Sequence, residues 1–589
     1  MKIVRPNKAQ PRKQNLLAID VENDPKSGDF ICAHLYSEAP KVDKYFVNLG
    51  VLHSFLMAQH TKGRHRKTPF ILVAFNWGYD MAFLSPIIND AKTCWAGSRF
   101  ICSQLKNGIK LLDLCNHVDG SLEDWIGYLK MGERFGLKKE TLEDLEVRVK
   151  SDTKATWHLG DFLNNFYYDE LGIPFHYTIG SAAYSLFTSR FFHHFWRRTD
   201  EQQWINDYER KAFRGGRTEC FERGRIKHLS YDVNSMYLSV MQEAKIPDPM
   251  TARHVLGSRH FESNFARHDT IVNCRVFAPE AKVMVLPYPD PLTGKLLFPC
   301  GRFDGYWTGV ELKKALEYGY QIEKVHSYIY YRKSYHYFKE FGDYVWDMRK
   351  EYKKQENKGM DLMIKKIGNT CFGKFGQQNA NTGFWGKQED YTGTFEGVTP
   401  VFKTVDGVDY LCLSGGDKTD GQHTFPVIPV FITSLARIKL LDALKSNEEG
   451  LIYCDTDSIK SRYPIKGLGI GDDLGQWGFE GVKECIFFKP KMYGDKIKGV
   501  PKRGIKIGED ATHQYFIFEK PRRYKESLRS GKTVNQWYEQ IKVVDKADDK
   551  RVWVGKKSKP IAIVYNELGG TQNEQSQGAT GELPDLQES

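Results

Sequence analysis

The sequence predicts a multidomain protein of the α/β class. Its 589 residues exceed the size of one domain several times over. Apolar runs of strand length end in acidic residues at 16–22 and 451–457, and the stretch from about 335 to 376 repeats apolar residues with helical spacing. A hydrophobic content of 41% is ample for packed cores. We therefore expect several packed domains that combine strands and helices.

The composition indicates a partner and a compartment. A formal charge of +11, from 85 Lys+Arg against 74 Asp+Glu, fits a polyanionic partner. The eleven cysteines include no Cys-x-x-Cys pair, which favours a reducing, intracellular setting over a zinc site or a disulfide framework. No run of ~18 apolar residues and no apolar signal core at residues 1–6 is present, so we expect no membrane span. The tail after about Gly569 is rich in Gln, Glu, Gly and Ser and is expected to be disordered.

Two carboxylates stand close together in the segment 451–460. Asp455 and Asp457 are two residues apart between apolar flanks, so an extended chain points both side chains to one face. Hard anionic oxygens side by side suit Mg²⁺, and without a cation they would repel each other. The alternative is a surface turn, since Asp and Thr favour turns. The apolar flanks favour a buried strand and hence a metal site.

A second acidic set lies in the first third of the chain. Asp-x-Glu ends the apolar strand at 16–22, and the apolar run 69–75 leads into a segment that would place two polar residues on one side of a helix. Four such carboxylates could hold two metals ~4 Å apart, the arrangement that hydrolyses phosphodiesters. Taken singly, each is more simply a solvated strand or helix end. The four carboxylates are Asp20, Glu22, Asp80 and Asp161.

The middle of the chain could supply contacts to a phosphate, a sugar and a base. The basic, Gly-rich turn 213–217 lets backbone N–H groups approach a phosphate, although a surface turn is the simpler reading. Asp232 ends a predicted strand and could join Asp455 and Asp457, or cap a helix instead. One helix face is predicted to carry a lysine, an amide, a ring and a glycine, unless the ring belongs to an amphipathic core. These four residues are Lys365, Asn369, Phe372 and Gly376.

The motifs of the first third resemble the 3′-5′ exonuclease domain of family B DNA polymerases. The order is Asp-x-Glu, then Asn-x-x-x-Asp, then aromatic-x-x-x-Asp, here Trp157 and Asp161 where the family usually has Tyr and Asp. An indole donates only through its N–H and cannot deprotonate water. The resemblance implies that the four carboxylates are catalytic and hold metals. It also implies contacts to single-stranded DNA by Asn76, Phe83, Ser121 and Leu122.

The later motifs resemble the polymerase domain of the same family. Segment 213–217 is similar to an aromatic-x-Gly-Gly linker, 232–238 to Asp-x-x-Ser-Leu-Tyr-Pro, 365–373 to Lys-x-x-x-Asn-Ser-x-Tyr-Gly and 491–493 to Lys-x-Tyr. Catalysis and metal binding then fall to Asp232, Val233, Asp455 and Asp457. The implied nucleotide contacts are Ser235, Met236, Tyr237, Lys365, Asn369 and Phe372. The implied DNA contacts of this domain are Phe213, Gly215, Gly216, Thr456, Lys491 and Tyr493.

Two inserted stretches and the compact length favour the protein-primed subclass of phages, adenoviruses and linear plasmids. The resemblance implies an RNase H-like exonuclease domain followed by a right-hand polymerase with palm, fingers and thumb. In this subclass the first insertion contacts the priming protein, and the second encircles DNA for processivity and strand displacement. The expected divisions are 1–180 exonuclease, 181–249 palm, 250–332 insertion 1, 333–376 fingers, 377–424 insertion 2, 425–510 palm, 511–570 thumb and 571–589 tail.

The resemblance implies a DNA-directed DNA polymerase with 3′-5′ proofreading that copies a linear genome. Two Mg²⁺ ions are expected at each site, with Mn²⁺ as a substitute. The expected partners of a monomeric chain are primer-template DNA, deoxynucleotides and a terminal protein, in the cytoplasm of a host cell, with a nucleus or organelle left open. The alternatives are a family B polymerase that uses ordinary primers or none, and a DNA-binding replication factor with weak catalysis. Asp232, Asp455, Asp457 and Lys365 argue against the last.

Overall fold

The computed structural model describes most of the chain. It covers residues 1–573 apart from 8–9, 60–69, 98, 138–143, 380–383, 392, 394–398, 406, 415–417, 495, 499, 502–503, 533–534 and 567–569. Within this part, no helix has both the length and the apolar composition that a bilayer crossing requires.

Residues 1–180, here the exonuclease-like region, form a seven-stranded mixed sheet with helices against it. The strand order is β4-β3-β2-β5-β8-β7-β6, in which β2, β5 and β8 run parallel. Burial of four successive residues in β2 shows that both faces of this sheet are covered. The elements are β1 (Lys2–Val4), β2 (Asn15–Asn23), β3 (Phe30–Glu38), β4 (Lys41–Phe46), α1 (Leu49–Ala58), β5 (Phe70–Ala74), α2 (Trp77–Leu84), β6 (Cys94–Ala96), β7 (Arg99–Gln104), β8 (Lys110–Asp113), α3 (Leu122–Tyr128), α4 (Met131–Phe135) and α5 (Leu145–Asn165).

The next elements lead from this region into a second sheet and an antiparallel insertion. The connecting elements are α6 (Ile179–Leu186), β9 (Trp196–Arg198), α7 (Gln203–Arg210), β10 (Thr218–Cys220), β11 (Gly224–Val233), α8 (Met236–Glu243) and β12 (Ile246–Pro247). The insertion contains β13 (Ala252–Leu256), α9 (Phe261–Arg267), β14 (Asp269–Ala278), β15 (Tyr288–Pro289), β16 (Leu296–Leu297), β17 (Cys300–Thr308), α10 (Gly309–Glu317) and β18 (Gln321–Tyr331).

Two antiparallel helices follow, here the finger helices α11 and α12. The elements are β19 (Ser334–Tyr335), α11 (Lys339–Lys354), α12 (Lys358–Thr370) and α13 (Gly373–Gly376). The prediction of one continuous helical face from Lys365 to Gly376 is wrong, because α12 ends at Thr370 and the short α13 begins at Gly373. Lys365 and Asn369 share a face of α12, whereas Phe372 lies in the break between the helices.

The second half of the chain completes the second sheet, here the central sheet, with order β10-β25-β26-β11-β27-β28-β29. Its long helix α14 is buried along most of its length, as the apolar run after Pro426 requires. The elements are β20 (Gln378–Asn379), β21 (Trp385–Lys387), β22 (Thr399–Val405), β23 (Val408–Ser414), β24 (Thr419–Asp420), α14 (Val427–Lys445), β25 (Leu451–Asp455), β26 (Ser458–Ser461), β27 (Trp477–Lys489), β28 (Met492–Tyr493) and β29 (Lys496–Ile497).

The C-terminal strands do not form one unit. The elements are β30 (Ile505–Glu509), β31 (His513–Pro521), α15 (Tyr524–Ser530), β32 (Trp537–Asp545), β33 (Arg551–Val554), β34 (Lys557–Pro560), β35 (Ala562–Asn566) and β36 (Gly570–Asn573). Strands β30, β31 and β32 make their own sheet, whereas β35 runs parallel to β17 of the insertion and pairs with β36. The predicted disordered tail is therefore wrong for residues 571–573, and the rest of it lies outside the described residues.

A buried ion pair joins β21 to the exonuclease-like region. The Lys387 ammonium donates to Asp90 Oδ2 at 2.8 Å and to the Ser85 carbonyl at 2.7 Å, and the Lys387 backbone N–H donates to the same Asp90 oxygen at 2.7 Å. Both side chains are almost fully buried. Removing one partner of such a pair leaves a charge without compensation in a low dielectric.

Lys387→Met should therefore destabilise the protein by about 3 kcal/mol. Chemical unfolding of the full chain measures the change. The matched control is Lys350→Met, whose pair with Asp347 is exposed and screened by solvent, so its removal should have a much smaller effect. Equal effects of the two substitutions would show that the Asp90 pair is not a determinant of stability.

Candidate active sites

The first candidate site lies where three strands of the central sheet end together. Asp232 near the end of β11 is the register partner of Ser458, and Asp455 at the end of β25 is the partner of the same residue. The Val233 N–H also donates to the Asp457 carbonyl at 2.8 Å. The β25–β26 hairpin therefore brings Asp232, Asp455 and Asp457 to one edge. Asp457 lies in the turn of this hairpin, so the prediction of an extended segment that points Asp455 and Asp457 to one face is wrong.

A lysine already compensates the charge of Asp455. The Lys491 ammonium lies 2.5 Å from Asp455 Oδ1 and 2.6 Å from Oδ2. The Tyr453 hydroxyl donates to Asp455 Oδ2 at 3.3 Å and accepts from the Lys491 N–H at 3.0 Å, and its ring lies 4.8 Å from that of Tyr493. Lys491 and Tyr493, predicted as DNA contacts, are thus placed beside the carboxylate of Asp455.

Burial and mutual repulsion shift the pKa values of the other two carboxyl groups. Burial, followed by Asp457 and Glu480, raises the pKa of Asp232 to about 6. Burial, followed by Asp455, raises the pKa of Asp457, whereas Lys365 lowers it. The same lysine lowers the pKa of Asp232, so α12 presents its cation to these carboxylates. Hard oxygen ligands with a raised affinity for protons are chemically suited to a divalent cation.

The predicted nucleotide contacts surround this edge of the sheet. Tyr237 of α8 packs its ring 4.9 Å from the ring of Phe372, and both are partly buried. Ser235 adopts a left-handed backbone with φ of 52° and accepts a hydrogen bond from Arg349 Nη1 at 2.7 Å. Met236 is buried, and Asn369 lies one turn after Lys365 on α12.

Sequence reasoning missed Arg349, which links the finger helices to the central sheet. Its Nε donates to Asp361 Oδ1 of α12 at 2.8 Å, while its Nη1 reaches Ser235 in the motif after β11. The side chain is buried. A charged residue in the middle of the amphipathic helix α11 gives no local signal, because only the tertiary structure shows which face it occupies.

The Gly-rich linker passes against the Asp-Thr-Asp turn. A Cβ on Gly216 would lie 2.7 Å from Thr456 Oγ1, so a larger residue would displace the turn. The Thr456 N–H donates to the Arg217 carbonyl at 2.7 Å. Arg437 Nη1 donates to the Gly215 carbonyl at 2.9 Å, which fixes the linker to α14. Phe213 packs on the other side, near Gly376.

The second candidate site is a carboxylate cluster of the exonuclease-like region. Asp20, Glu22 and Asp152 each offer an oxygen, and these three atoms lie within 4.8 Å of one another, the only such group of three or more found in the part of the chain that the structure describes. Asp80 is buried, and its Oδ1 accepts from the Val21 N–H at 3.1 Å. Burial, followed by Asp80, Asp152 and Glu22, raises the pKa of Asp20.

The structure places Asp152, and not Asp161, in this cluster. Asp161 lies nine residues later on α5, about 13 Å along the helix axis. Its carboxylate accepts from Asn165 at 2.9 Å, and the charges around it are Lys13, Glu38 and Asp169. The prediction of Asp161 as a fourth metal ligand is therefore wrong. Burial, followed by Glu22, raises the pKa of Asp152 to about 6.

With Asp152 as the acidic residue of the motif, Trp157 no longer occupies the motif's aromatic position. Trp157 is a buried packing residue whose Nε1 donates to the Leu16 carbonyl at 3.2 Å, and its ring meets Tyr36 edge-on. The residue four positions before Asp152 is Arg148, whose Nε donates to Glu22 Oε1 at 2.9 Å. Tyr79 is a phenol on which the charges of Glu22, Asp80 and Asp20 act, and its hydroxyl donates to Asn23. Burial, followed by Glu22, raises the pKa of Tyr79.

The residues predicted to contact single-stranded DNA differ in their exposure to solvent. Asn76 is exposed, with φ of 78°, and its N–H donates to Asp113 Oδ1 at 2.9 Å. Phe83 is only 9% exposed and packs against Phe30 at 5.8 Å, so its ring has little free face for a base. Ser121 is exposed and caps α3 by a capping box, and Leu122 is the first residue of that helix.

Comparison with known proteins points to one family. A family model described as DNA polymerase type B, organellar and viral, matches residues 135–397. A probable DNA polymerase of Ascobolus immersus is 26% identical over 326 residues, 50% of this chain and 26% of that protein. The DNA polymerase of Bacillus phage phi29 is 24% identical over 304 residues, 48% of this chain and 48% of that protein. The matched part of the chain thus spans no more than about half the length of these curated relatives.

A solved structure is similar over almost its whole length. Phi29 DNA polymerase complexed with primer-template DNA and incoming nucleotide substrates has a TM-score of 0.65 at 15% identity, with coverage of 90% of this chain and 98% of that chain. This likeness confirms the predicted multidomain α/β fold. Together with the family model and the phage relatives, it confirms the resemblance to the protein-primed family B DNA polymerases.

The raised pKa of Asp232 has a measurable effect on stability. A folded-state pKa of about 6 against an ordinary value of 3.8 means that the folded protein holds the proton more tightly. The contribution of Asp232 to the free energy of unfolding therefore falls as the pH rises from about 4 to 6, and it stays lower above that range. Asp232→Asn lacks this loss, and we expect it to be more stable by about 1 kcal/mol at pH 8, after allowance for partial exposure.

Urea unfolding without divalent ions measures this difference at pH 8 and pH 4.5. The advantage of Asp232→Asn should shrink at the lower pH, whereas the exposed control Asp347→Asn should show no such trend. A variant that is no more stable than wild type at pH 8 would contradict the assigned environment of Asp232.

Proposed function

We propose that this chain is a DNA-directed DNA polymerase with a separate 3′-5′ exonuclease site on the same polypeptide. The observation that carries the proposal is the convergence of Asp232, Asp455 and Asp457 on one sheet edge opposite Lys365 and Tyr237. The resemblance to family B polymerases supports the identity of the substrates, which would be primer-template DNA and deoxynucleotides. The basic excess of the chain fits this polyanionic partner.

Each polymerase residue has a role that follows from its charge and place. Divalent cations bound at the three carboxylates, Mg²⁺ or Mn²⁺, would supply the charge that activates the attacking 3′-hydroxyl and balances the leaving pyrophosphate. Asp232, Asp455 and Asp457 would hold this charge, with the Val233 carbonyl as a further oxygen. Lys365 would contact the triphosphate from α12, and Lys491 would exchange Asp455 for a phosphate as the ligand binds.

The exonuclease site would use Asp20, Glu22, Asp80 and Asp152. Its carboxylates belong to β2, α2 and α5 of a region with its own sheet, so removal of one site should leave the other folded. The exposed Ser121 and Asn76 would contact the single strand that enters it. The linker at Gly215 and Gly216, which lies against the Asp-Thr-Asp turn, would hold the primer end between the two activities.

Protein priming and strand displacement are the finer part of the proposal. The sheet of β13, β18, β14 and β17 would be the insertion that contacts a priming protein in this subclass. The sheet of β21, β23 and β22 would be the second insertion, and α15 packs against it and against α2. Lys525 of α15 lies 4.7 Å from the Trp385 ring and donates to the Gly97 carbonyl at 2.9 Å, so these contacts close a loop of protein that could retain DNA.

Two alternatives predict different starting points for synthesis. A polymerase of this family that uses ordinary primers or none would extend an oligonucleotide and need no protein hydroxyl. The protein-primed enzyme would also attach a first nucleotide to a terminal protein. It would act as a monomer, in the compartment of the host cell that contains its genome. A replication factor with weak catalysis would do neither at an enzymatic rate, and the three intact carboxylates favour the enzyme.

Asp455→Asn and Asp457→Asn should each lower primer extension by at least about a thousandfold, because each removes a charged ligand from the polymerase cluster. Degradation of a labelled single strand should persist within about twofold. Both rates are measured on the same full-length preparations. Loss of both activities in a folded variant would show that the two sites are not separate.

Asp152→Asn should give the reciprocal result, with single-strand degradation lost and primer extension kept. The matched control is Asp161→Asn, on the same helix but outside the carboxylate cluster, and it should leave both activities near wild type. If Asp161→Asn abolished degradation and Asp152→Asn did not, the assignment of the α5 ligand would be wrong.

Tyr237→Val should reduce the selection of deoxyribose over ribose. Its ring, packed on Phe372, would lie where a ribose 2′-hydroxyl falls, and its removal opens that space. Each ~1.4 kcal/mol of lost discrimination is a tenfold change in the ratio of incorporation efficiencies, and we expect at least that. Tyr237→Phe is the control and should keep the ratio. An unchanged ratio together with a lower Tm would leave Tyr237 as a packing residue only.

A further inference from the structure

An arginine takes part in the carboxylate cluster of the exonuclease-like region. Arg148 Nε and Nη2 both point to Glu22 Oε1, at 2.9 and 2.6 Å. Its charge also acts on Asp20 and Asp152, whose pKa values it lowers against the larger raising effects of burial. The guanidinium therefore interacts with all three residues whose oxygens lie within 4.8 Å of one another.

The helix fixes Arg148 in this place. Asp144 caps the start of α5 by accepting from the Val147 N–H at 3.1 Å, and the Arg148 N–H donates to the Asp144 carbonyl at 2.9 Å. Arg148 and Asp152 are four residues apart, so both side chains project from the same face. The Arg148 side chain is 35% exposed, so part of it remains open to solvent.

The chemistry of this residue differs from that of the tyrosine that the family motif carries four positions before its Asp. A guanidinium stays charged and cannot accept a proton, so Arg148 cannot act on water as a base. It can carry one positive charge and donate hydrogen bonds to phosphate oxygens. Its hydrogen bond from Nε and its ion-pair contact from Nη2 both fall on Glu22 Oε1, so this oxygen is already paired with a protein cation.

We propose that Arg148 replaces one of the two divalent cations expected of the exonuclease site. The cluster then holds a single divalent ion through Asp20, Glu22 and Asp152, and the guanidinium of this partly exposed side chain binds the phosphate of the terminal nucleotide. The inference deepens the proposed exonuclease function and depends on it only for the phosphate contact. The number of bound ions is a property of the residues themselves.

The test counts Mn²⁺ bound by the full-length chain, by electron paramagnetic resonance of the free ion. The double variant Asp20→Asn/Glu22→Gln removes the cluster but leaves the polymerase carboxylates intact. The difference in bound Mn²⁺ between wild type and this variant gives the ions held at the cluster. We expect one, and a difference of two would overturn the proposal without any change at Arg148.

Substitutions at Arg148 supply the second arm. Arg148→Gln should raise the number of Mn²⁺ ions bound at the cluster from one to two, because the Glu22 carboxylate loses its protein cation. Arg148→Lys keeps the positive charge and should keep the number of bound ions at one. A count of one in a folded Arg148→Gln protein would overturn the proposal. Near-ultraviolet circular dichroism checks the folding of each variant.

These outcomes are separable from the failure of the exonuclease itself. If the cluster binds one Mn²⁺ but wild type degrades no single strand, the exonuclease proposal fails and the role of Arg148 in ion binding stands. If degradation is present and the cluster holds two ions, the exonuclease stands and Arg148 is an ordinary ion pair.

Discussion

Repulsion between closely spaced carboxylates is the constraint on which both candidate sites depend. Like charges within a few ångströms in a partly buried place cannot remain uncompensated, so protons or cations must gather there. Burial first, and neighbouring carboxylates second, raise the pKa values of Asp20, Asp152, Asp232 and Asp457. Cationic side chains of the protein pair with some of these carboxylates, as Lys491 does with Asp455 and Arg148 with Glu22.

Pairing of buried opposite charges also connects separate regions of the chain. Buried arginines pair with single glutamates at junctions, as Arg551 does with Glu219 of β10 at 2.7 Å and Arg437 with Glu311 of α10 at 2.8 Å. A pair of this kind adds little net stability over apolar packing but is costly to break. Such pairs therefore fix the relative placement of strands that are distant in sequence, including those that carry the polymerase carboxylates.

Local periodicity was enough to identify the strand residues of both sites. Asp20 and Glu22 lie in β2, where a period of two residues puts both side chains on one face. Asp455 ends β25 after a buried apolar run, but Asp457 lies in the following turn, which the period of two did not predict. The overall class followed from the order of the motifs.

The predictions that were wrong share one cause. Local sequence does not determine which faces of distant elements pack together. Trp157 with Asp161 satisfies the aromatic-x-x-x-Asp pattern, but only packing shows that the turn of α5 with Arg148 and Asp152 faces β2. Phe372, between α12 and α13, packs on Tyr237, a contact between residues more than a hundred positions apart in sequence. The pairing of β35 with β17 spans still more chain.

Anomalous scattering from Mn²⁺ in crystals of the full chain with primer-template DNA and a nonhydrolysable nucleotide would test the charge compensation directly. We predict Mn²⁺ peaks about 2–2.5 Å from Asp232 and Asp455 oxygens, with the Lys491 ammonium moved away from Asp455. One peak should lie among Asp20, Glu22 and Asp152. A Lys491 that still holds Asp455, with no Mn²⁺ at that carboxylate, would contradict the view that the Asp232, Asp455 and Asp457 cluster exchanges the Lys491 ammonium for a divalent ion.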